Sequence, residues 1–278
     1  MCNDERVYKE YIAQTFNRTA PTYDRVGPRL FSHFGHRLVE LAGIGNGASV
    51  LDVGCGRGAV LLPAAERVGV SGEVIGIDIA ETMLEQTAND IQALGLENTS
   101  VCHMDAEALR FPDARFGFVV YGFALYEFYD LDRALSESHR VLRSGGVFAA
   151  SLWGRKLDRR WDGFRSVVKS FQGSLRPEPE AKNMPRLREP VDIEAVLSKA
   201  GFVTIQTVAE EKEFYFKDAD EWWAFEWSHG NRFLWERMET PTLERCRAEL
   251  LEVVGRMKQE AGIPIVFQIL LTRAEKPR

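Results

Sequence analysis

Apolar residues recur at helical spacing in the first part of the chain. Residues 5–17 and 28–42 carry apolar positions every three or four residues, and Pro28 suits the first turn of a helix. The spacing predicts two helices, and we treat residues 1–45 as one N-terminal helical segment.

From residue 48 onward, short β-branched runs alternate with helical stretches. The runs predict strands at Ala48–Val53, Glu73–Ile79, Thr99–Met104, Phe116–Tyr121 and Gly146–Leu152. The stretches predict helices at residues 59–68, 81–94 and 131–142. Strands alternating with helices are typical of βαβ units, in which a mostly parallel sheet is buried on both faces. We therefore expect an α/β core over residues 46–154.

The alternation breaks down after residue 153. Residues 155–190 are rich in charge and contain Pro177, Pro179, Pro185 and Pro190, which predicts a helix near 160–172 and then an irregular connection. Further on, the pattern predicts a helix at Val191–Ala200, a strand at Phe202–Phe216, a helical insertion at 218–259 and a last strand at Ile263–Thr272. We expect residues 155–278 to complete the sheet, with the segments 155–190 and 218–259 covering a substrate.

Composition narrows the class of protein. The 278 residues are 45% hydrophobic and 27% charged, which excludes a disordered, collagen-like or coiled-coil chain. The 35 Lys+Arg against 41 Asp+Glu give a formal net charge of −6, which argues against nucleic acid as a partner.

The cysteine spacing and the hydrophobicity pattern argue against a metal site, a membrane-spanning helix and a signal peptide. None of the four cysteines lies in a CxxC pair, so we expect no metal and no disulfide framework, which suits a cytoplasmic location. No apolar stretch follows the polar residues 1–6, and the apolar run 116–126 is too short to span a bilayer.

A glycine-rich turn carries the most specific signal. The segment Val50–Gly58 runs from a strand through Gly54, Gly56 and Gly58 into a predicted helix. Glycine lets a ligand approach the backbone, and the first N–H groups of a helix can face that ligand. The spacing G-x-G-x-G differs from the dinucleotide fingerprint G-x-G-x-x-G, and no G-K-[ST] follows, which excludes a triphosphate loop.

Three acids end strands of the same predicted sheet. Asp78 suits the hydroxyls of a ribose, Asp105 suits an adenine amino group, and Asp52 could orient a cationic amino group. Ligands of open α/β sheets bind at the carboxyl ends of the strands, so we expect these acids to share one crevice.

These residues resemble the class I S-adenosylmethionine-dependent methyltransferases, in particular the small-molecule branch with the ubiquinone/menaquinone C-methyltransferases. The resemblance runs from Phe16–Asp24 to Arg140–Gly146, about half of the chain. It implies a doubly wound, seven-stranded, mostly parallel Rossmann-like sheet with strand 1 beside strand 4 and an antiparallel last strand. It also implies S-adenosyl-L-methionine as cofactor, and contacts to that cofactor from Ile79, Met83, Ala106 and the lid residue Tyr23.

Two departures from that family concern the region after strand 4. Gly117 stands where the family often has Asp, which argues against metal-dependent catalysis at that strand. Tyr126-Glu127 stands where the family often has His-His, so proton transfer by Tyr126 or Glu127 would be specific to this chain.

Aromatic residues supply the candidates for the methyl end of the site. We expect Tyr121 to contact the cofactor and Phe123 the substrate, with His229 as a candidate base. The insertion holds four of the six tryptophans; there Trp222 and Phe225, together with Trp153, either line an apolar substrate pocket or form a small satellite core.

The sequence therefore predicts an S-adenosylmethionine-dependent methyltransferase. It would move a methyl group to an O, N or C atom of a small, apolar or aromatic metabolite, in secondary metabolism, with a homodimer as one possible assembly. The alternatives are an NAD(P)-dependent oxidoreductase and a non-catalytic methyltransferase-like binding protein. A methyltransferase that acts on a macromolecule is less favoured, because the cluster of basic residues at 155–160 is small.

Overall fold

The computed structural model describes residues 3–182 and 187–278. Cys2, Pro185 and part of the predicted irregular connection lie outside the described residues.

Seven strands form one twisted sheet in the order β3-β2-β1-β4-β5-β7-β6. The strands are β1 Ser49–Val53, β2 Glu73–Asp78, β3 Thr99–His103, β4 Phe116–Gly122, β5 Leu142–Trp153, β6 Val203–Phe216 and β7 Ile263–Glu275. Strands β1 to β5 pair in parallel, and β7 runs antiparallel between β5 and β6. The seven-stranded, mostly parallel sheet, the pairing of β1 with β4 and the antiparallel last strand are confirmed.

Ten α-helices surround the sheet in the described residues. They are α1 Asn3–Thr19, α2 Leu30–Ala42, α3 Leu61–Val68, α4 Glu81–Leu94, α5 Leu131–Val141, α6 Asp162–Phe171, α7 Pro190–Lys199, α8 Ala219–Trp227, α9 Arg232–Trp235 and α10 Thr240–Gly255. The predicted helical insertion before the last strand is therefore three helices, α8 to α10.

The core lies on both faces of the sheet because neighbouring strand residues point to opposite sides. On β4, Val119 belongs to the apolar cluster with α5 and α7, whereas Val120 belongs to the cluster with α2, α3 and α10. On β5, Phe148 and Ala149 divide in the same way. Strands buried on both faces explain why their sequences read as continuous apolar runs.

Strand β5 begins four residues earlier than predicted. Leu142 already pairs with Phe116, and the register then shifts before Phe118 pairs with Val147. This bulge contains Gly145 and Gly146, and because glycine has no side chain, a pattern based on β-branched residues misses the start of the strand.

The two N-terminal helices have different surroundings. Helix α2 packs on the sheet beside β5 and β7, with Leu30, Phe34 and Leu38 fully buried. Helix α1 lies against α4 and α9 at the carboxyl edge of the sheet, so α1 is the helix that covers this edge.

Among the described helices, none has the length and apolar character of a membrane span. The described residues also contain no cluster of His, Cys, Asp and Glu that could hold a metal ion.

Candidate active site and cofactor cleft

The glycine-rich turn follows β1 and uses backbone conformations that favour glycine. Gly54 has φ +68°, and a side chain there would meet Ala124 Cβ at 2.6 Å. Gly56 has φ +47°, and the space where its Cβ would stand is open for at least 4 Å. The turn therefore exposes bare backbone at Gly56, as close approach of a ligand requires. Gly58 has a different surrounding, with Leu62 Cγ 3.1 Å from where a Cβ would stand.

Asp78 at the end of β2 is tied to that turn. Its Oδ2 accepts a hydrogen bond from the Gly56 N–H at 2.9 Å, and its Oδ1 accepts one from the Ala80 N–H at 2.9 Å. Burial raises the pKa of Asp78, although the backbone N–H groups of Ala80 and Gly56 oppose the shift. The two hydrogen bonds fix the carboxylate at the edge of a cleft.

This cleft lies across the carboxyl ends of β1, β2, β3 and β4. Its volume, counted together with its open mouth, is about 690 Å³. Apolar side chains line one part of it: Ile79, Met83, Met104 and Ala106. Carboxylates line another part: Asp78, Asp105, Glu107 and Glu127. An apolar floor with acids at its edge suits a nucleoside.

Asp105 is already engaged by the covering helix. Its Oδ1 accepts from the Glu107 N–H at 2.9 Å, and its Oδ2 accepts from Lys9 Nζ at 2.8 Å. Lys9 also bonds Glu5 at 2.7 Å and Glu107 at 2.9 Å, so one ammonium group joins three acids. These bonds hold helix α1 against the cleft at Asp105, the acid predicted to bind the adenine amino group.

A second, smaller cavity of about 350 Å³ adjoins the cleft around the glycine turn. Both cavities are lined by Tyr23, Gly54, Gly56, Gly122 and Phe123. They therefore form one continuous crevice.

Among the described residues, two buried groups that line this smaller cavity lack partners with hydrogen-bond geometry. Asp52 is 1% exposed, and neither carboxylate oxygen accepts such a bond, although the Leu61 backbone N–H favours its charged form. Burial, helped by the charge of Asp78, raises the pKa of Asp52 to about 8. Arg57 bonds the Ala20 carbonyl and Asp90 through its terminal nitrogens, but its buried Nε–H has no acceptor. An unpaired acid and an unpaired N–H donor fit the ammonium and carboxylate of an amino acid.

Tyr23 reaches both cavities because the next residue anchors the chain. Asp24, at φ +52°, accepts hydrogen bonds from the backbone N–H groups of Phe31 and Ser32 and from the Ser32 hydroxyl. Its carboxylate thus caps α2 and fixes the preceding residue. The Tyr23 ring stacks on Phe31 with ring centroids 4.7 Å apart.

An aromatic wall continues from Phe31 away from the glycine turn. The wall consists of Phe31, Phe123 and Trp153, with centroids 5.4 Å apart for Phe31–Phe123 and 4.8 Å for Phe123–Trp153. Phe123 has φ +59°, and its N–H donates to the carbonyl and the hydroxyl oxygen of Ser151. A non-glycine residue held in this region stores strain, which is concentrated at functional sites.

Beyond the wall lies a third cavity of about 930 Å³. Trp153, Phe225 and His229 line it, and so do Trp161, Phe164 and Phe267. We call it the aromatic cavity. Trp153 lines this cavity and contacts Phe123 of the crevice, so the two cavities are neighbours at the wall.

The structure places four predicted residues outside the linings of all three cavities: Gly58, described above, and Tyr121, Trp222 and Tyr126. Tyr121 is fully buried, and its hydroxyl bonds Ser138. Trp222 is 1% exposed and packs against Trp161 and Phe164. Tyr126 accepts from the Trp153 N–H at 3.0 Å and donates to the Leu187 carbonyl at 2.9 Å. Tyr126 therefore joins β5 to the segment before α7. Trp222 is part of a small satellite core, which was the alternative to a place in the substrate pocket.

Glu127 and His229, the other two catalytic candidates, line different cavities. Glu127 lies in the large cleft, where burial, with a contribution from Glu178, raises its pKa to about 7. His229 lies in the aromatic cavity. The predicted catalytic set is thus divided between two places.

Three site residues escaped the sequence reasoning: Arg57, Lys9 and Phe31. Arg57 is the charged residue inside the glycine turn, which was a usable signal. Lys9 and Phe31 lie on helices whose faces cannot be assigned to a cleft from periodicity alone.

Comparison with known proteins agrees with this geometry. A family model described as a methyltransferase domain matches residues 50–146. Nocamycin O-methyltransferase of Saccharothrix syringae is 34% identical over 284 aligned residues, which cover 90% of this chain and 99% of that protein. The chain belongs to the class I S-adenosylmethionine-dependent methyltransferases.

Further similarities support the methyltransferase assignment. Aklanonic acid methyltransferase of Streptomyces sp. (strain C5) is 42% identical over 142 residues, covering 51% of this chain and 64% of that protein. A putative methyltransferase from Bacillus halodurans C-125 superposes with a TM-score of 0.59 at 22% identity, over 87% of this chain and 98% of that one, a likeness of fold. The cofactor of this methyltransferase is S-adenosylmethionine.

Proposed function

We propose that this methyltransferase moves a methyl group to an O, N or C atom of a small, apolar or aromatic metabolite bound in the aromatic cavity. The observation that carries the proposal is the shared wall: Trp153 lines the aromatic cavity and contacts Phe123, which lines the cofactor crevice. Methyl transfer brings donor and acceptor into direct contact, and the two cavities are neighbours at this wall.

The character of the aromatic cavity supports this class of acceptor. Pockets for small molecules are mostly apolar with a few polar groups, and tryptophan and phenylalanine rings dominate this one. Two similar proteins are named for nocamycin and aklanonic acid, and one of them is named an O-methyltransferase. Both names support a role in secondary metabolism, with oxygen as the favoured acceptor atom.

In the proposed site, the crevice holds the cofactor in two parts. Asp78 would accept the ribose hydroxyls, while Asp105 and Ala106 would border the adenine, with Ile79 and Met83 against its faces. The unpartnered Asp52 carboxylate and Arg57 Nε–H would receive the ammonium and carboxylate of the methionine part. The bound cofactor supplies an electrophilic methyl group on sulfur.

The protein's own contribution is alignment and exclusion of water. Tyr23, Phe31 and Phe123 form an aromatic cover on the methyl side of the crevice. Holding two reactants in a productive orientation lowers a barrier by roughly 7–11 kcal/mol in favourable cases. An electron-rich ring is also an electrostatically suitable neighbour for a sulfonium.

The test is a methylation assay with a labelled methyl donor and a panel of phenols, naphthols, enols and aromatic amines. We expect the wild type to methylate at least one aromatic acceptor and the Asp78→Ala variant to methylate none. The variant should keep the circular dichroism spectrum of the wild type. Its affinity for S-adenosylmethionine should fall by about 100-fold or more, because the two charge-assisted hydrogen bonds to the ribose hydroxyls are removed. Tight binding of NAD without binding of S-adenosylmethionine would refute the proposal.

A homodimer and a cytoplasmic location stay predictions of the sequence.

A further inference from the structure

His229 combines burial, a fixed hydrogen bond and a place in the aromatic cavity. The residue is 5% exposed and lies just after α8. Its ring lies 4.4 Å from the Phe225 ring and 5.8 Å from the Phe31 ring, measured between centroids. Phe31 in turn contacts Phe123 of the cofactor crevice. Phe31 itself lines the smaller cavity of the crevice, so its ring lies between this imidazole and the cofactor site.

The hydrogen bond of His229 determines which nitrogen carries the proton. Nδ1 lies 2.7 Å from the Phe225 carbonyl oxygen, which can only accept. The proton of the neutral ring therefore resides on Nδ1, and Nε2 keeps its lone pair. Among the described residues, the hydrogen bond found for this ring is that of Nδ1, and none is found for Nε2.

The surroundings keep the imidazole neutral. Burial lowers the pKa of His229 to about 4, and the hydrogen bond to Phe225 opposes that shift only in part. The charged groups that line the same cavity are Lys156, Asp158, Arg165, Arg188 and Glu226. Four of them already have polar partners: Lys156 bonds Glu211, Asp158 bonds Arg160, Arg165 bonds Asp162, and Glu226 accepts from Asn231.

We propose that His229 Nε2 is the general base of the reaction and that the acceptor is an acidic hydroxyl, a phenol or an enol, of an aromatic metabolite. The inference rests on the proposed function and narrows its O, N or C acceptor to oxygen. The second candidate, Glu127, lines the cofactor cleft instead of the aromatic cavity.

The step balances without a further reactant. Nε2 takes the hydroxyl proton, and the acceptor oxygen forms a bond to the methyl carbon. The carbon–sulfur bond breaks with its electron pair on sulfur, so a sulfonium and a neutral imidazole become a thioether and an imidazolium. The imidazolium then loses its proton to solvent.

The lining around this imidazole selects the acceptor. A base must lie within hydrogen-bond reach of the proton that it removes, so an Nε2 in a cavity lined by aromatic rings suits an aromatic hydroxyl, a phenol or an enol. An amine or a carbon acceptor has no O–H proton that the lone pair of His229 Nε2 could remove.

The experiment compares wild type with His229→Asn and His229→Gln on the best phenolic acceptor of the panel. Asn keeps an N–H donor near the Phe225 carbonyl, and Gln places an amide near Nε2, but neither is a base. His36→Asn, at an exposed position on α2, is the matched control. We expect both His229 variants to lose about 100-fold or more in kcat at pH 7, with S-adenosylmethionine affinity unchanged by calorimetry.

The pH profile separates catalysis from a structural role. Wild-type kcat/KM should stay flat above about pH 6 until other groups titrate, whereas both variants should rise tenfold per pH unit as the acceptor ionises in solution. Added imidazole should restore part of the activity. Wild-type rates and profiles in both variants would overturn the base assignment while leaving methyl transfer intact. Wild-type binding of S-adenosylmethionine without methylation of any acceptor would instead refute the proposed function.

Discussion

Asp52 illustrates, for a single residue, how binding and stability oppose each other. Its buried carboxylate has no partner with hydrogen-bond geometry among the described residues, and burial raises its pKa to about 8. The unfolded chain ionises this group near pH 4, whereas the folded protein does so only near pH 8. Folding therefore becomes less favourable as the pH rises through this window, because the folded state must hold either an extra proton or an uncompensated charge.

Removing that charge should stabilise the protein and impair its function. We expect Asp52→Asn to raise the free energy of unfolding of the cofactor-free protein by up to a few kcal/mol above pH 8, and by little near pH 4. The same change should weaken S-adenosylmethionine binding, because the ammonium of the cofactor loses its counter-charge. Thermal unfolding at several pH values and calorimetry check both parts. Lower stability at pH 9 together with unchanged affinity would contradict this reading.

At this scale the sequence predicted residue positions better than side-chain directions. Asp52, Asp78 and Asp105 end strands of one sheet, and that alone places them along one crevice. Tyr121 also stands near the end of a strand, but its side chain points into the core, toward Ser138. A one-residue difference in strand register reverses the direction of a side chain, and the sequence pattern does not define register that closely.

Helix α1 acts as a separate element that one lysine fastens to the cleft. Lys9 is 13% exposed in its side chain and bonds Glu5, Asp105 and Glu107, while the Glu107 side chain is fully buried. Arg18 at the other end of α1 bonds Glu236, after α9. Breaking such a partly buried network leaves acids with too little positive charge.

We expect Lys9→Met to loosen α1 without unfolding the sheet. Amide hydrogen exchange in α1 should become about tenfold faster or more, equal to about 1.4 kcal/mol of local opening, while β1 and β4 keep their protection. The matched control is Arg6→Ala on the same helix, whose pair with Glu10 is exposed on both sides. Equal exchange in wild type and Lys9→Met would show that this contact does not hold the helix.

The elements themselves were predictable to different degrees. The alternation from β1 to β5 is regular except between β3 and β4, which no helix separates, and the bounds were right within a few residues apart from the start of β5. The insertion was predicted as helical, but its division into α8, α9 and α10 depends on the packing of Trp223 against Trp235 and of α10 against α6. Such contacts between distant residues leave no local period in the sequence.

At the scale of the whole molecule, the sheet brings two sites to one edge. The crevice follows the carboxyl ends of β1 to β4, and the aromatic cavity lies between the ends of β5 and β7 and the helical insertion. The sequence predicted the first site through glycines and acids at fixed spacing. The second site is built from segments more than a hundred residues apart, which is why its lining could only be guessed from the tryptophans.

The most direct measurement is a crystal structure of the protein with S-adenosylhomocysteine and a phenolic acceptor. The account predicts the ribose hydroxyls on Asp78, the amino-acid end of the ligand beside Asp52 and Arg57, and the acceptor oxygen in the aromatic cavity within hydrogen-bond distance of His229 Nε2. The account would be contradicted if the nucleoside bound away from Asp78, or if the acceptor bound outside the aromatic cavity.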